Sequence, residues 1–347
     1  ILNRVVASSC LICETNQTPI WQLRATRAVR DAEELRIHYE NATLSMLGVP
    51  VLYLPYFSHP DSSVTRTSGF LVPTFLSSSI YGTALKLPYF FAIATDRDLT
   101  VTPFVTTGDG VLLEGQYRQA FSQGSLQLDG SLHPSSGDSD WRGYGRANGS
   151  WRFENNIRAS FSVTGISDER FLADYGYSSP DRITSSLRLA YSEPDHFWTA
   201  DALYFDTLRS DEDQSTIPLI LPDAEYRRNF DFGFMNVEAV GSILSFARDD
   251  GRDVSRGSVG GTVDRSFITN AGLVLRSFAE TNADFYLTQD DPTFGSDQQA
   301  RLRTLAGFEL RYPLILRGDN RTHLVEPIAQ LVRGHDTADL TRLANED

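Results

Sequence analysis

The sequence has no long uninterrupted apolar run. A membrane-spanning helix needs about 18 or more consecutive apolar residues, whereas the longest apolar stretch, residues 48–57, is broken by Pro50 and Pro55. A helical membrane protein is therefore excluded. Hydrophobic residues still make up 41% of the chain, which also excludes a disordered one. Transmembrane β-strands remain allowed, because each needs only about 9–11 residues and alternates apolar with polar side chains.

Basic charge is scarce, and lysine is nearly missing. The 31 basic residues face 45 acidic ones, for a net charge of -14, which argues against a nucleic-acid partner. Lys86 is the one lysine, and the other basic residues are arginines. A GC-rich genome would produce this bias, and so would phosphate recognition, because guanidinium groups bind phosphate bidentately. Composition does not separate these two explanations.

Residue types with metal-binding or catalytic chemistry are few and scattered. The two cysteines, Cys10 and Cys13, have no second pair and no histidine nearby, which disfavours a zinc site. No His-Glu-x-x-His or Gly-x-Ser-x-Gly motif is present. We therefore expect no cofactor, no metal site and no enzyme activity. A hydrolase whose Ser, His and Asp come together from different strands is the alternative. Acidic runs such as 211–213 indicate solvated loops, with surface Ca²⁺ binding as the alternative.

The chain begins and stops without the usual end signals. It starts at Ile1, with neither an initiator methionine nor a signal peptide, and it stops at 345–347 without a closing strand. We expect both ends to be cuts in a longer protein, so localisation has to be inferred from the body of the sequence.

Most of the sequence alternates with the period of β-strands. In residues 157–164 every odd position is apolar and every even position is polar. Because proline donates no ladder hydrogen bond, segment 48–57 is predicted to be an edge or terminal strand. The predicted short strands near the start are 4–8, 21–29, 34–38, 42–46 and 49–53. About fifteen strands are predicted after residue 65, at 67–75, 82–93, 99–106, 111–119, 125–132, 142–152, 157–164, 183–191, 198–207, 217–227, 234–246, 258–267, 271–279, 302–312 and 322–332.

Aromatic residues and loop lengths separate two all-β architectures. Aromatic side chains recur near segment ends, as at Tyr81, Trp141 and Phe234, which is typical of the interfacial girdles of membrane barrels. These features favour an antiparallel outer-membrane β-barrel over a soluble sandwich or solenoid. Long acidic loops also alternate with short turns, at 134–141, 168–181, 208–216, 248–256 and 288–298.

Two stretches resemble a known family. The first runs from Cys10 to Phe57 and contains Pro19-Ile20-Trp21, Asn41-Ala42 and segment 48–57. The second contains Arg-Thr-Ser-Gly-Phe-Leu-Val-Pro at 66–73, Leu-Pro-Tyr-Phe-Phe-Ala-Ile-Ala at 87–94 and Asp-Leu-Thr-Val-Thr-Pro at 98–103. In order and spacing these stretches closely resemble the LptD family of LPS-assembly proteins, also called organic solvent tolerance proteins. Residues 111–347 share with that family only the general pattern of alternating strands and turns.

The resemblance implies a two-part architecture and a transport function. Residues 1–57 would be the C-terminal strands of a periplasmic lipid-binding β-jellyroll, and 58–347 the N-terminal part of a transmembrane β-barrel. The barrel would open laterally and insert lipopolysaccharide into the outer leaflet of a Gram-negative outer membrane, without covalent chemistry. The implied partners are lipopolysaccharide, an LptA-like periplasmic bridge, an LptE-like lipoprotein plug and the barrel-assembly (Bam) machinery.

The resemblance also implies roles for individual residues. Pro73 and Pro88 lie in the first two predicted barrel strands, where each removes a ladder donor, and would loosen a lateral gate. Marking strand ends is the alternative for both, and Pro103 is expected to lie away from the gate. Cys10 would form an interdomain disulfide with a cysteine outside this sequence, and Cys13 would join a second such bridge or pair with Cys10. The domain junction and lipid portal are expected at Pro50, Pro55, Tyr56, Phe57, Arg66, Gly69 and Phe70.

Two other functions compete with this interpretation. A generic outer-membrane porin or channel would share the barrel pattern, but it does not need the lipid-binding segment that residues 10–57 resemble. A soluble β-rich surface adhesin would share the strand period, and partition between detergent and water would distinguish it.

Overall fold

The structure is a computed structural model, in which the chain is almost entirely antiparallel β. One four-residue helix, α1 (Phe171–Asp174), and one 3-10 turn, Gln214–Thr216, complete the described elements. No described helix has the length and apolarity needed to cross a membrane. The residues that the structure describes are 1–8, 21–46, 48–64, 66–134, 141–292, 295–318 and 320–337.

The N-terminal part forms a four-stranded antiparallel sheet in sequential order. Its strands are β1 (Leu2–Ala7), β2 (Trp21–Asp31), β3 (Arg36–Met46) and β4 (Val49–Pro60). The two strands predicted at 34–38 and 42–46 form one strand, β3. Asn41 lies between them with a positive φ of 49°, but the pairing with β2 continues on both sides of it. Strand β4 is an edge strand, as its prolines predicted.

One face of this sheet is apolar and only partly covered. Ala25, Ala28, Tyr39 and Ala42 are buried. The residues packed against them are partly exposed, and they are Val5, Leu23, Ile37, Leu54 and Phe57. A face built around three alanines is shallow, so the sheet presents a broad apolar surface.

The larger part of the chain is a barrel sheet. The strand order closes with β23 beside β5, although no run of paired residues joins these two strands within the described residues. The predicted antiparallel β-barrel is confirmed. The described barrel strands are β5 (Gly69–Phe70), β6 (Thr74–Ser78), β7 (Gly82–Lys86), β8 (Tyr89–Ala94), β9 (Arg97–Thr106), β10 (Val111–Phe121), β11 (Gly124–Pro134), β12 (Trp141–Arg152), β13 (Ile157–Ile166), β14 (Arg182–Ser192), β15 (His196–Thr207), β16 (Leu219–Asp231), β17 (Asn236–Ala247), β18 (Asp253–Ile268), β19 (Val274–Asp291), β20 (Gly295–Arg311) and, after the small hairpin β21 (Leu314–Arg317) and β22 (Thr322–Val325), β23 (Ile328–Asp336).

The two faces of the barrel wall differ in polarity. Leu187 is 50% exposed on the outer face, and Phe161 pairs with it on the neighbouring strand. Ile157, Leu310 and Tyr312 lie on apolar faces of their predicted strands and are all at least partly exposed, as membrane-facing side chains should be. Arg188 and Asp201 form an ion pair on the opposite, inner face, as expected for a wet lumen.

Residues 167–181, which we call the inner loop, fold back against the inner wall. Phe171, Leu172 and Tyr175 are buried there against Phe104 and Leu112 of the wall. Burying each such side chain contributes about 1.5–3 kcal/mol, an upper value because the unfolded chain also buries apolar surface. The sequence predicted this segment only as a long acidic loop, so its apolar half was missed.

Two further features fix the inner loop in place. Arg142 of β12 donates to both Asp168 carboxylate oxygens at 2.9 and 3.0 Å and to Asp174 at 2.9 Å. Hydrogen bonds from Arg142 lower the pKa of Asp168 to about 2, so this anchor weakens only as the pH falls from about 4 toward 2. Tyr81 is 6% exposed and packs edge-on against Phe104, so its predicted place in an interfacial girdle is wrong.

Candidate functional site at the first barrel hairpin

Both strands of the first hairpin (residues 69–94) are interrupted. Residues 71–73 separate β5 from β6, and residues 87–88 separate β7 from β8. Pro73 lies in the first gap and Pro88 in the second, and we call the two gaps together the break. Proline has a fixed φ and no N–H, so neither residue can complete a ladder. Each proline directly precedes a strand segment, which fits both a loosened gate and the marking of strand ends, so the gate role stays a prediction.

Backbone hydrogen bonds across the break run in one direction only. Leu71 N–H donates to the Pro88 carbonyl at 2.9 Å, and Leu87 N–H donates to the Pro103 carbonyl at 3.1 Å. A closely spaced antiparallel pair normally exchanges two such bonds. Pro88 and Pro103 have no N–H to return, so each pair keeps half of its hydrogen bonding.

Pro103 therefore takes part in one of these half-bonded pairs. It lies in β9 and extends the pairing that places Lys86 opposite Phe104, so it faces Leu87 directly. Pro103 lies in the third barrel strand, as expected, and so not at the closing edge beside β5, although it is level with the two hairpin prolines. Strand register, which the sequence does not show, brings the three prolines to one level across three strands.

Pro73 removes a hydrogen-bond donor from the side of its strand that faces away from β7. Because Leu87 directs its N–H toward β9, the backbone at position 73, opposite Leu87, points away from β7. That direction is the side on which the strand order closes through β5 and β23. Strand β5 itself pairs with β8 at two positions only, Gly69 with Phe90 and Phe70 with Tyr89. Among the described barrel strands, β5 thus has the shortest run of paired residues.

The outer face of this hairpin is aromatic. Phe70 is 65% exposed and meets Tyr89 edge-on at 4.9 Å between ring centroids. Tyr89 contacts Phe91 at 4.6 Å. Gly69 pairs with Phe90 on the opposite face of the sheet, where it leaves open space in place of a side chain. This surface suits contact with apolar chains and offers no charged group among these residues.

Arg66 fastens the segment before the hairpin to the turn after it. Its guanidinium donates to the carbonyl oxygens of Thr95 and Arg97 at 2.7 and 2.8 Å, and to Asp98 at 2.8 Å. Asp98 is 8% exposed and also accepts two bonds from Arg118. One buried carboxylate held by two guanidiniums makes this a firm electrostatic joint.

The predicted portal residues of the N-terminal sheet lie in β4. Pro50, Pro55 and Tyr56 are exposed on this edge strand, and Phe57 is half-buried in the apolar face. Beyond the strand, Asp61 accepts a hydrogen bond from Arg30 of β2, which lowers the pKa of Asp61. This bond ties the end of β4 back to its own sheet.

Several predicted or possible sites lie elsewhere. Cys10 and Cys13 fall outside the described residues. Within the described part of the chain, two groups have the spacing to hold a metal ion. Both lie in or beside turns that join consecutive strands, and they are Asp31 with Glu34 and His38, and Glu193 with Asp195 and His196.

Comparison with known proteins agrees with the family resemblance. The LptD family, described as LPS transport system D, matches residues 140–347. Proteins named LPS-assembly protein LptD are similar to the chain: 33% identical over 53% of it in Idiomarina loihiensis, 34% over 46% in Pseudoalteromonas translucida, and 26% over 84% in Pectobacterium atrosepticum. The aligned regions cover 25%, 21% and 39% of those proteins, so the chain spans well under half of their length.

Solved structures that align with the chain do so weakly. A bacterial polysaccharide outer membrane secretin gives a TM-score of 0.26 at 8% identity, covering 76% of this chain and 94% of that one. OccK11 (OpdR) of Pseudomonas aeruginosa gives 0.23 at 9%, covering 78% and 94%. Scores this low carry no argument about fold or function. The family match, by contrast, extends over more than half of the sequence, and the chain belongs to the LptD family.

Proposed function

We propose that the protein containing this chain carries lipopolysaccharide to the outer leaflet of a Gram-negative outer membrane. The observation that carries the proposal is the interrupted first hairpin, whose poorly paired strand β5 lies at the closing edge of the barrel. A barrel that must release an amphipathic lipid sideways needs such an edge, because lipid chains and sugars have to part there. Relatives bearing the name LPS-assembly protein support the choice of cargo.

Each part of the chain has a role in this route. The apolar face of β1–β4 holds the acyl chains, with Phe57 and Leu54 on the last strand before the barrel. Arg66 keeps the end of that route beside the first hairpin. The charged inner wall gives the sugars a hydrated path, while the aromatic outer face of the hairpin meets the acyl chains as they leave. No step makes or breaks a covalent bond, so the protein is a transporter and not an enzyme.

The proposed setting follows from this route. Residues 1–57 stand in the periplasm as the end of a β-jellyroll, and 58–347 form part of the membrane barrel. Lipopolysaccharide arrives from an LptA-like periplasmic bridge, an LptE-like lipoprotein fills the lumen, and the Bam machinery assembles the barrel. Strand β4, exposed along its free edge, leads from the sheet toward the barrel.

A generic porin is the second candidate, since its barrel also has a polar inner wall. The apolar face ahead of the barrel and the break in the first hairpin speak against it, because a passive pore uses neither. A soluble adhesin fits the outward apolar positions poorly.

Depletion of the full-length protein from cells tests the proposed function. Newly made lipopolysaccharide should stop reaching the cell surface and accumulate inside, while uptake of small hydrophilic solutes stays normal. A loss of small-solute uptake with normal surface lipopolysaccharide would instead identify a porin.

The predicted disulfide has its own test. In the full-length protein we expect Cys10 to be oxidised to a cysteine beyond this chain, as suits an oxidising compartment. Cys10→Ser should therefore shift the mobility of the protein on non-reducing gels, and Cys13→Ser is the matched variant. An unchanged mobility for Cys10→Ser would show that the bridge does not use this position.

A further inference from the structure

The inner loop packs against the first hairpin, where Ala84 of β7 is buried in the same cluster as Phe171 and Tyr175 of the loop. Tyr81, in the turn between β6 and β7, stacks on Tyr175 of the loop at 6.3 Å between ring centroids. Lower on the wall, Lys86 of β7 lies 5.1 Å from the ring of Tyr177. The loop also rests on β9 and β10, where Phe104 and Leu112 are fully buried. The first hairpin is thus held from inside the barrel by a segment far away in sequence.

Glu114 of β10 joins these elements through a single oxygen. Its Oε1 accepts from Lys86 Nζ at 2.5 Å and from the Tyr177 hydroxyl at 2.5 Å. Burial, together with the Glu114 carboxylate, raises the pKa of Tyr177, so the hydroxyl remains a donor at neutral pH. One carboxylate therefore links a barrel strand of the first hairpin to the inner loop.

Lys86 is well matched to this position. Its ammonium lies 4.4 Å from the Phe104 ring as well as beside Tyr177, and its side chain is 20% exposed. A compact ammonium fits between two rings and a carboxylate, whereas a planar guanidinium needs more room. The chain's one lysine thus lies where β7, β10 and the inner loop meet.

Lys86 lies at the end of β7, where its contacts with Glu114 and Tyr177 stand next to the break. Lys86 is the last residue of β7, and the break begins at the next residue. We propose that Lys86, Glu114 and Tyr177 form a latch that couples the inner loop to the pairing of the first hairpin. When the hairpin separates from β9, Lys86 leaves a largely buried carboxylate without its cation, and the bond to Tyr177 weakens. Release of the loop removes cover from Lys86 in the same way, since coupling is reciprocal.

The latch itself does not depend on cargo, but its effect on lipid release rests on the proposed function. Its test therefore reads the protein alone, by amide hydrogen exchange of the full-length protein in detergent. Lys86→Met should raise exchange in the inner loop, residues 167–181, by roughly two- to tenfold. Arg118→Met is the matched control, because it also removes a cation from a carboxylate of the wall but does not touch the loop.

The reverse direction uses a milder change on the loop. Tyr177→Phe removes one hydroxyl and should raise exchange in β7, at residues 82–86. Tyr175→Phe removes the hydroxyl bonded to Asp109 but keeps the bond between Tyr177 and Glu114, so exchange in β7 should stay unchanged. The heat-dependent gel mobility of the barrel confirms that each variant is folded.

Both directions have to agree. Exchange that rises in the loop for Lys86→Met and in β7 for Tyr177→Phe supports the latch, even if lipopolysaccharide export proves to follow another route. A rise confined to the mutated element in either variant overturns the latch. An equal rise in β7 for Tyr175→Phe also overturns it, because the effect would then not depend on the Tyr177 hydroxyl.

Discussion

Arg66→Ala is expected to release the segment between the N-terminal sheet and the barrel. The variant loses three hydrogen bonds, two to carbonyl oxygens and one to the buried Asp98. Arg66 is partly exposed and Asp98 keeps Arg118, so we expect a loss of about 2 kcal/mol and not the full value for a deeply buried ion pair. Proteolysis in the linker at 61–68 should therefore become roughly thirtyfold faster.

Proteinase K is the suitable probe, because trypsin would lose its own site at position 66. Arg97→Ala is the control: Arg97 sits on the same turn, but its side chain pairs with the adjacent Asp96 at 3.4 Å. Arg66→Lys should lie between the two, since lysine keeps the charge without the fork of donors. Equal cleavage of Arg66→Ala and Arg97→Ala would show that the joint does not hold the linker.

The double variant Pro73→Ala, Pro88→Ala is expected to close the first hairpin more firmly. Alanine at 88 supplies an N–H facing Leu71, and alanine at 73 supplies one facing the closing edge. Each new bond is worth about 0.5–1.5 kcal/mol, reduced by the entropy that proline had removed from the unfolded chain. A net gain of about 1 kcal/mol lowers the open population several-fold, so export should slow and sensitivity to large antibiotics should rise.

The control for the proline variants has to come from another part of the barrel. Pro103 is unsuitable because it faces Leu87 across the break. Pro134 ends β11 and pairs with Trp141, away from the first hairpin, so Pro134→Ala should leave export unchanged. If the double variant exports lipopolysaccharide at the rate of the unmodified protein, the prolines do not weaken a gate.

Strand periodicity predicted the regular part of the barrel closely. Strands β10 and β14 begin within one residue of their predicted starts at 111 and 183. The long strand β19 was predicted to end at 279 but continues to Asp291. Its outward positions there include Thr281 and Ala283, which are too small and too polar to produce a clear alternation. The packing of the inner loop was not predicted, because its partners Phe104 and Leu112 are distant in sequence. Strand periodicity does not indicate contacts between distant segments.

Residues of the site could be predicted from the sequence only where the chemistry of a single residue determines its structural effect. Proline interrupts a ladder in any context, so Pro73 and Pro88 could be chosen from the sequence. Asp98 and Arg118 could not, because their pairing depends on the register of β9 against β10. Lys86 was noticed as the one lysine, but its role depends on Glu114 and Tyr177, which only the folded barrel brings together.

The most direct test of lateral release is a photoreactive residue at position 70. Phe70 lies on the outer face of the poorly paired first strand, and Leu187 on the outer face of β14 is the comparison position. After a short pulse of labelled lipopolysaccharide, lateral release through the first hairpin should give strong crosslinking at 70, little at 187, and loss of the early signal at 70 in the double proline variant. Equal early crosslinking at both positions, or none at 70, would contradict release through the first hairpin.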